Sequence, residues 1–262
     1  MNIKYKFLLI ITLVIILFNF NSTYSLSKTD SYKYMHGINN LLLIGVDNTN
    51  FNDRSPCYCS IILTINSVSK NLKLTSLCKD TLVDIPGIGV GSLSDSYLYS
   101  DERLLLNTIE SNFDIKIDNY VVINKTALIK IIQSIGDINF DSSYLNGYDV
   151  INLLSKYSKS SVFLQEELQR NILQSILYNF SKLPFINYPG VIAYTFPYVK
   201  LNITPYRMLS LGFTALSLNN YKAEQLQFPD PSYSNYKTIS SKSYLDFDKN
   251  KCISILKNFI YK

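Results

Sequence analysis

Lys79, Asp80 and Thr81 follow an apolar run and precede the turn-rich stretch VDIPGIG, so a cation, a carboxylate and a hydroxyl stand together where a strand should end. Such a corner is either a solvated strand terminus or a place that holds phosphate, and the residue types allow both. Asp47 raises the same question. It closes the apolar run from Asn40 to Val46, at the carboxyl end of a strand, where open α/β sheets collect ligands.

Other chemistries can be set aside. His36 is the single histidine and precedes the first strand, which removes Ser-His-Asp and Cys-His mechanisms. The four cysteines are Cys57, Cys59, Cys78 and Cys252, and their C-x-C pair lacks the spacing of a zinc site. A net charge of +5 without clustered Lys/Arg and interleaved aromatics argues against nucleic acid as a partner and is compatible with phosphate-rich envelope material.

The elements that must position these residues follow from hydrophobic periodicity. NLLLIGV (40–46) has the continuous apolar pattern of a strand buried on both faces. CSIILTIN (59–66) and NLKLTSL (71–77) flank SVSK and predict an antiparallel hairpin in which Asn66 pairs with Asn71. Cys59 would then face Cys78, as a disulfide or as an unoxidised core pair. A helix opens at Ser100–Arg103 with Leu105, Ile109 and Phe113 on one face, and DNYVVIN (118–124) is a strand. Asn124 caps KTALIKIIQSI, which ends at Gly136, and a short helix spans 148–157.

Leu164, Leu168, Ile172, Ile176 and Phe180 recur every fourth residue, joined by Leu173 and Leu177, and predict a long helix stopped by Pro184. Pro205 begins another, whose Met208, Leu209, Phe213 and Leu216 share a face; both stripes either line an apolar cavity or form plain core. YKAEQLQF is strand-like, 229–243 reads as a Ser/Tyr/Pro-rich loop, and a last helix covers 248–260. Strands alternating with helices predict one α/β domain with a mixed central sheet between helices.

The start of the chain changes the setting. MNIKYK carries two lysines, FLLIITLVIILF is uncharged, and small polar residues follow at Ser22, Thr23 and Ser25. Residues 1–25 are therefore expected to be a signal peptide cleaved near Ser25 or a single membrane anchor, residues 26–39 a linker and residues 40–262 an extracytoplasmic domain.

NLLLIGVD, SIILTINSVSKNLKLTSLCKDT, VDIPGIG, the small-residue helix SLSDSYLY, IDNYVVIN, LIKIIQSIGDINFD, LNGYDVINLL and LQEELQRNIL resemble, in sequence and spacing, the LytR-CpsA-Psr family of cell-envelope proteins. The resemblance runs from about Asn40 to Phe228. It implies a sheet between helices that encloses an apolar tunnel for a polyprenyl chain. It also implies transfer of a glycopolymer from a polyprenyl-pyrophosphate carrier to peptidoglycan, with magnesium.

Carried over by position, the resemblance makes Asp47 the metal-binding or phosphate-orienting carboxylate, Lys79 the phosphate cation in place of an arginine, Asp80 its orienter and Gln169 a hydrogen-bond donor to the pyrophosphate. The pattern departs elsewhere. Tyr58 stands where a second magnesium-binding aspartate is expected, and Ser155, Tyr157, Gln165 and Leu168 stand where arginines are expected. Arg54, Lys156, Lys159 and Arg170 lie close by in sequence as substitute cations, although a solvated surface charge is the commoner state of each. Arginine forks neutralise phosphate bidentately as serine, tyrosine and leucine do not. The expectations are thus a transferase with weakened or lost catalysis, a degenerate binding module for polyprenyl lipid, wall glycan or an envelope partner, or a structural envelope protein.

Overall fold

The structure is a computed structural model, which describes residues 37–47, 51, 55–216 and 222–262. The expected signal or anchor segment, His36, Arg54 and most of the linker lie outside these residues, as do the side chains of Phe213 and Leu216.

The first three strands are β1 (Ile38–Val46), β2 (Cys57–Asn66) and β3 (Asn71–Leu77), and a small hairpin follows, β4 (Leu82–Ile85) with β5 (Gly89–Ser92). Helices α1 (Leu93–Tyr99) and α2 (Glu102–Phe113) lead to β6 (Asn119–Ile123) and α3 (Lys125–Ile135). A second hairpin, β7 (Ile138–Phe140) with β8 (Ser143–Leu145), precedes α4 (Gly147–Lys156), α5 (Val162–Lys182) and α6 (Tyr188–Thr195). The chain closes with β9 (Lys200–Leu201), α7 (Pro205–Leu216), β10 (Glu224–Phe228), β11 (Ser234–Ile239), β12 (Lys242–Phe247) and α8 (Lys249–Tyr261).

The central sheet has the order β10-β3-β2-β1-β6-β9. β1–β2 and β2–β3 are antiparallel, whereas β1–β6 and β3–β10 are parallel, so the sheet is mixed as expected. Asn66 pairs with Asn71 across the Ser67–Lys70 turn, and Asn124 caps α3 by accepting the Ala127 N–H at 2.9 Å. β1 starts earlier than its apolar run. Asn40 is tolerated inside because its amide donates to the Lys116 carbonyl at 2.8 Å and accepts from Thr64 Oγ1 at 2.7 Å.

Two layers flank the sheet. Leu42, Ile44 and Val46 of β1 point to one face, where they join Leu105, Ile109 and Phe113 of α2 and Cys252, Leu256 and Ile260 of α8. Leu41 and Leu43 point to the other, toward Leu173 and Leu177 of α5 and Leu211 of α7. The expectation of burial on both faces is corrected in one respect: the odd-numbered residues of β1 are only partly buried, and a cavity lies against two of them, Leu43 and Gly45.

Two further corrections concern the C-terminal half. Residues 234–247 form the β11–β12 hairpin rather than a loop, with Ser240 and Ser241 both at positive φ in its turn. This hairpin lies across the Lys79–Asp80–Thr81 corner: the Leu245 N–H donates to the Asp80 carbonyl at 2.8 Å, and Thr81 forms a parallel bridge with Leu245. Leu164 is 43% exposed and does not belong to the buried stripe of α5.

Helices α3 and α4 touch backbone to backbone at Gly147, where a Cβ would come within 2.7 Å of the Ile129 Cα. A Gly147→Ala variant is therefore expected to lose about 1–3 kcal/mol of stability, as overpacked sites do, read as a lower urea midpoint at unchanged slope.

Candidate functional site

The parity of β1 sets the site. Leu43 and Gly45 face the cavity, and two residues further on the same parity brings Asp47 to its mouth. Gly45 pairs with Ile123 in the parallel β1–β6 ladder, so the chains leave the sheet side by side, and Lys125, two residues beyond Ile123, arrives next to Asp47. The two form an ion pair with both side chains about half exposed, at 53% and 49%. Lys125 is the first residue of α3, a place where a lysine reads as a solvated helix end; its role comes from strand register and was missed in the sequence.

On the other side of the mouth, β2 bulges. Gly45 pairs with Cys59 but Val46 with Cys57, so Tyr58 is the extra residue and is turned outward, 46% exposed, onto the cavity rim. Lys79 stands behind this ring, its ammonium 5.9 Å from the Tyr58 centroid, and is not among the residues that line the cavity.

The cavity has a volume of about 340 Å³ and lies between β1–β2 and helices α3, α4 and α5. Its depth is apolar, with Ile61, Leu128, Ile131, Ile172, Leu173 and Ile176 in the walls. Tyr58, Ser155, Tyr157, Gln165 and Leu168, the positions where the resemblance implies an aspartate and four arginines, all line it. Among the described lining residues only Asp47 and Lys125 are charged, and they neutralise each other. The face of α7 at Met208 and Leu209 does not line this cavity; Met208 packs instead against the Ile61–Leu74 core.

Gln169 also lines the cavity, and its buried Oε1 accepts no hydrogen bond. A buried carbonyl oxygen without a donor costs roughly 1–3 kcal/mol, so it suits a hydroxyl or N–H of a bound molecule. For magnesium the fit is poor. Asp47 is a lone carboxylate held by an ammonium, Tyr58 offers only a phenol, and among the described residues no three His, Cys, Asp or Glu side chains gather in a metal-ligating group.

Asp80 does not orient Lys79 through an ion pair; none joins them among the described residues. The β11–β12 hairpin half-buries its carboxyl, and that desolvation raises its pKa, with Lys79 and Lys242 offsetting part of the effect. The corner is held by main-chain bonds and by Thr81 Oγ1 donating to the Cys78 carbonyl at 2.7 Å. The cysteines are free thiols, and burial pushes Cys57 up to about 11 and Cys59 and Cys78 higher still, so none of these three is a nucleophile at neutral pH.

Arg170 is not at the cavity, although it is the next residue after Gln169: one helical step of about 100° turns it onto another flank of α5. It is buried and donates to Ser76 Oγ at 2.6 Å, Gln227 Oε1 at 2.8 Å and Gln225 Oε1 at 3.1 Å. The Gln227 amide donates in turn to Glu166, whose carboxyl is pushed up to about 7 by burial. This network fastens α5 to β3 and β10 and turns the Arg170 guanidinium away from any ligand in the cavity. Lys156 and Lys159 are exposed and outside the lining.

Comparison with known proteins bears on this geometry. The sequence profile of the LytR_cpsA_psr family matches residues 19–153. A polyisoprenyl-teichoic acid–peptidoglycan teichoic acid transferase TagU of Enterococcus faecalis is 26% identical over 210 residues, covering 71% of this chain and 69% of that protein. TagU of Halalkalibacterium halodurans is 26% identical over 129 residues, covering 48% of this chain and only 40% of its own length. Among solved structures, Bacillus subtilis TagV superposes with a TM-score of 0.72 at 18% identity, over 85% of this chain and 97% of TagV. TagT bound to LI-WTA superposes with 0.71 at 18% identity, over 91% and 96%. The structural likeness establishes a shared fold.

Proposed function

The chain belongs to the LytR_cpsA_psr family, and from that premise we propose that it handles envelope glycopolymer carried on a polyprenyl phosphate and destined for peptidoglycan. In this reading the domain works outside the membrane, behind the apolar segment 1–25. The cavity takes the carrier's hydrocarbon chain, and the phosphate meets Lys125, with the Gln169 amide beside it. The supporting observation is the lining itself: apolar walls end in a mouth where Lys125, the one cation among the described lining residues, is already paired with Asp47.

The same lining sets the rate. A pyrophosphate-linked group brings two to three negative charges, and the charges of the described lining sum to zero. Transfer is consequently far slower than at an arginine-rich site, where each preorganised donor is worth roughly 10²–10³ in rate. Lipid capture, driven by apolar burial, is retained. A pure binding module without transfer is the second reading, favoured by the same charge-neutral mouth.

Asp47→Asn tests the charge balance of the mouth. An exposed ion pair contributes about 0–1 kcal/mol, so freeing Lys125 and removing the neighbouring carboxylate is expected to tighten polyprenyl-phosphate binding about fivefold, with chelator making no difference. Native mass measurement of the purified chain with polyprenyl monophosphate, with and without magnesium, reads this. Loss of binding in the variant, or dependence on magnesium in the parent, would overturn the metal-independent mouth. Failure to bind neutral polyprenol as well would remove the carrier reading altogether.

A further inference from the structure

We propose that the exposed face of α6, with the turns on either side of it, docks onto the surface of an anionic lipid bilayer. Leu183 to Val199, LPFINYPGVIAYTFPYV, contains no charged residue. Only Tyr188 and Thr195 of α6 are buried. Tyr188 is fixed against Phe180 with ring centroids 4.3 Å apart, whereas Phe185 and Ile186 are 68% and 70% exposed and Tyr194 and Phe196 are also open to solvent. Ile186 and Tyr194 border one shallow groove, so the patch is continuous. Exposed apolar surface of this kind marks a binding face.

Charge names the partner. The chain has 20 Asp and Glu residues, yet none falls between Leu168 and Ala223, while Lys182, Lys200, Arg207 and Lys222 do, besides the buried Arg170. Lysines frame the patch with their stems on aromatic rings: Lys182 lies 4.1 Å over Tyr178, and Lys130 5.6 Å over both Tyr194 and Tyr198. Tyrosine, phenylalanine and lysine are the residues that settle at a membrane–water interface and prefer anionic headgroups, with the exposed Asp137 beside Asn179 as an opposing charge.

Topology gives the patch the right direction. The Asn179 amide donates to the Gly136 and Asp137 carbonyls, so the C-terminal ends of α3 and α5 lie together, with Phe185 three residues beyond α5. That is the end of the sheet at which β1 begins and the Gly37 carbonyl accepts from the Ser67 N–H. The apolar end of the cavity, at Ile131, Leu173 and Ile176, points the same way, and the Asp47–Lys125 mouth points oppositely. Docking by α6 thus aligns the cavity with a leaflet lipid, tail toward the bilayer and headgroup away from it. The inference stands on the surface itself and does not need the carrier reading.

The chain contains no tryptophan, which makes a single reporter possible. Full-length Phe185→Trp in phosphatidylglycerol-containing vesicles is expected to be quenched by brominated acyl chains several-fold more than Val90→Trp, on the α2 side of the sheet. Ile186→Trp repeats the measurement should Phe185→Trp fold poorly. Adding Lys130→Gln and Lys182→Gln is expected to weaken the contact about fivefold per lysine, most visibly as salt is raised, given about 1 kcal/mol for each basic residue near an anionic surface. Equal quenching at positions 185 and 90 overturns the proposal. So does a blue-shifted, protected indole at position 185 in buffer free of lipid and detergent: dependence on protein concentration would assign the patch to a second copy, independence to another part of the same chain.

Discussion

A Ser155→Arg/Gln165→Arg variant is expected to transfer polyprenyl-linked glycopolymer to peptidoglycan at least about two orders of magnitude faster than the parent. Both positions line the cavity mouth, and both side chains are at present uncharged. Gln165 spends its amide on the Ser158 and Ser160 carbonyls, at 3.2 and 2.7 Å, so an arginine there finds main-chain acceptors for part of its fork and directs the rest inward. Ser155 sits on the last turn of α4, where a cation is also favoured by the helix dipole. With roughly 10²–10³ in rate for each placed donor, even one productive arginine is detectable in a radiolabelled transfer assay. No gain, with tighter phosphate binding confirmed in the same variant, would mean that what is missing is not positive charge, and the charge-deficit account of the mouth would fall.

The second large effect concerns stability and its pH dependence. Arg170→Met removes the cation from a buried network and leaves Ser76, Gln225, Gln227 and Glu166 without it, for an expected loss of about 3–5 kcal/mol at neutral pH. The parent has a pH signature of its own. Burial raises the Glu166 carboxyl from its ordinary value to about 7, so the folded state holds a proton that the unfolded state releases near pH ~4–5. That contribution is present in full below the unfolded value and is lost as pH rises through about 7, on the order of 3 kcal/mol. Glu166→Gln is expected to flatten this slope. Urea midpoints measured at about pH 5 and pH 8, on either side of the folded value, test both variants: the Arg170→Met deficit is smaller at the acid end, where Glu166 is protonated. A parent midpoint equal at the two pH values would exclude the buried carboxyl as a pH-sensitive element.

What the sequence disclosed divides along local and non-local lines. The Asn66–Asn71 pairing, the Asn124 cap and the stop of α5 before Pro184 depend on neighbours a few residues apart, and each was legible. The partnership of Lys125 with Asp47 spans two strands brought together by parallel pairing, which no local pattern encodes. The β11–β12 turn was missed because serines occupy positions of positive φ where asparagine or glycine would have announced a hairpin. Arg170 shows the opposite failure, in which adjacency to Gln169 in sequence stood for adjacency in space, though helical geometry sends the two side chains to different faces. The apolar stripe of α5 was correctly located, but whether it bordered a void depended on how far α3 and α4 stand from the sheet.

The parallel register of β1 and β6 carries a final consequence. Asp47 and Lys125 each lie two residues past Gly45–Ile123, the last rung of the ladder, so what brings them together is a pair of strands held at the roughly 4.8 Å inter-strand spacing. The sheet behaves as a fixed calliper at this entrance. Side-chain rotation can part the ion pair, while the strands behind it stay joined by main-chain hydrogen bonds up to Gly45 and Ile123.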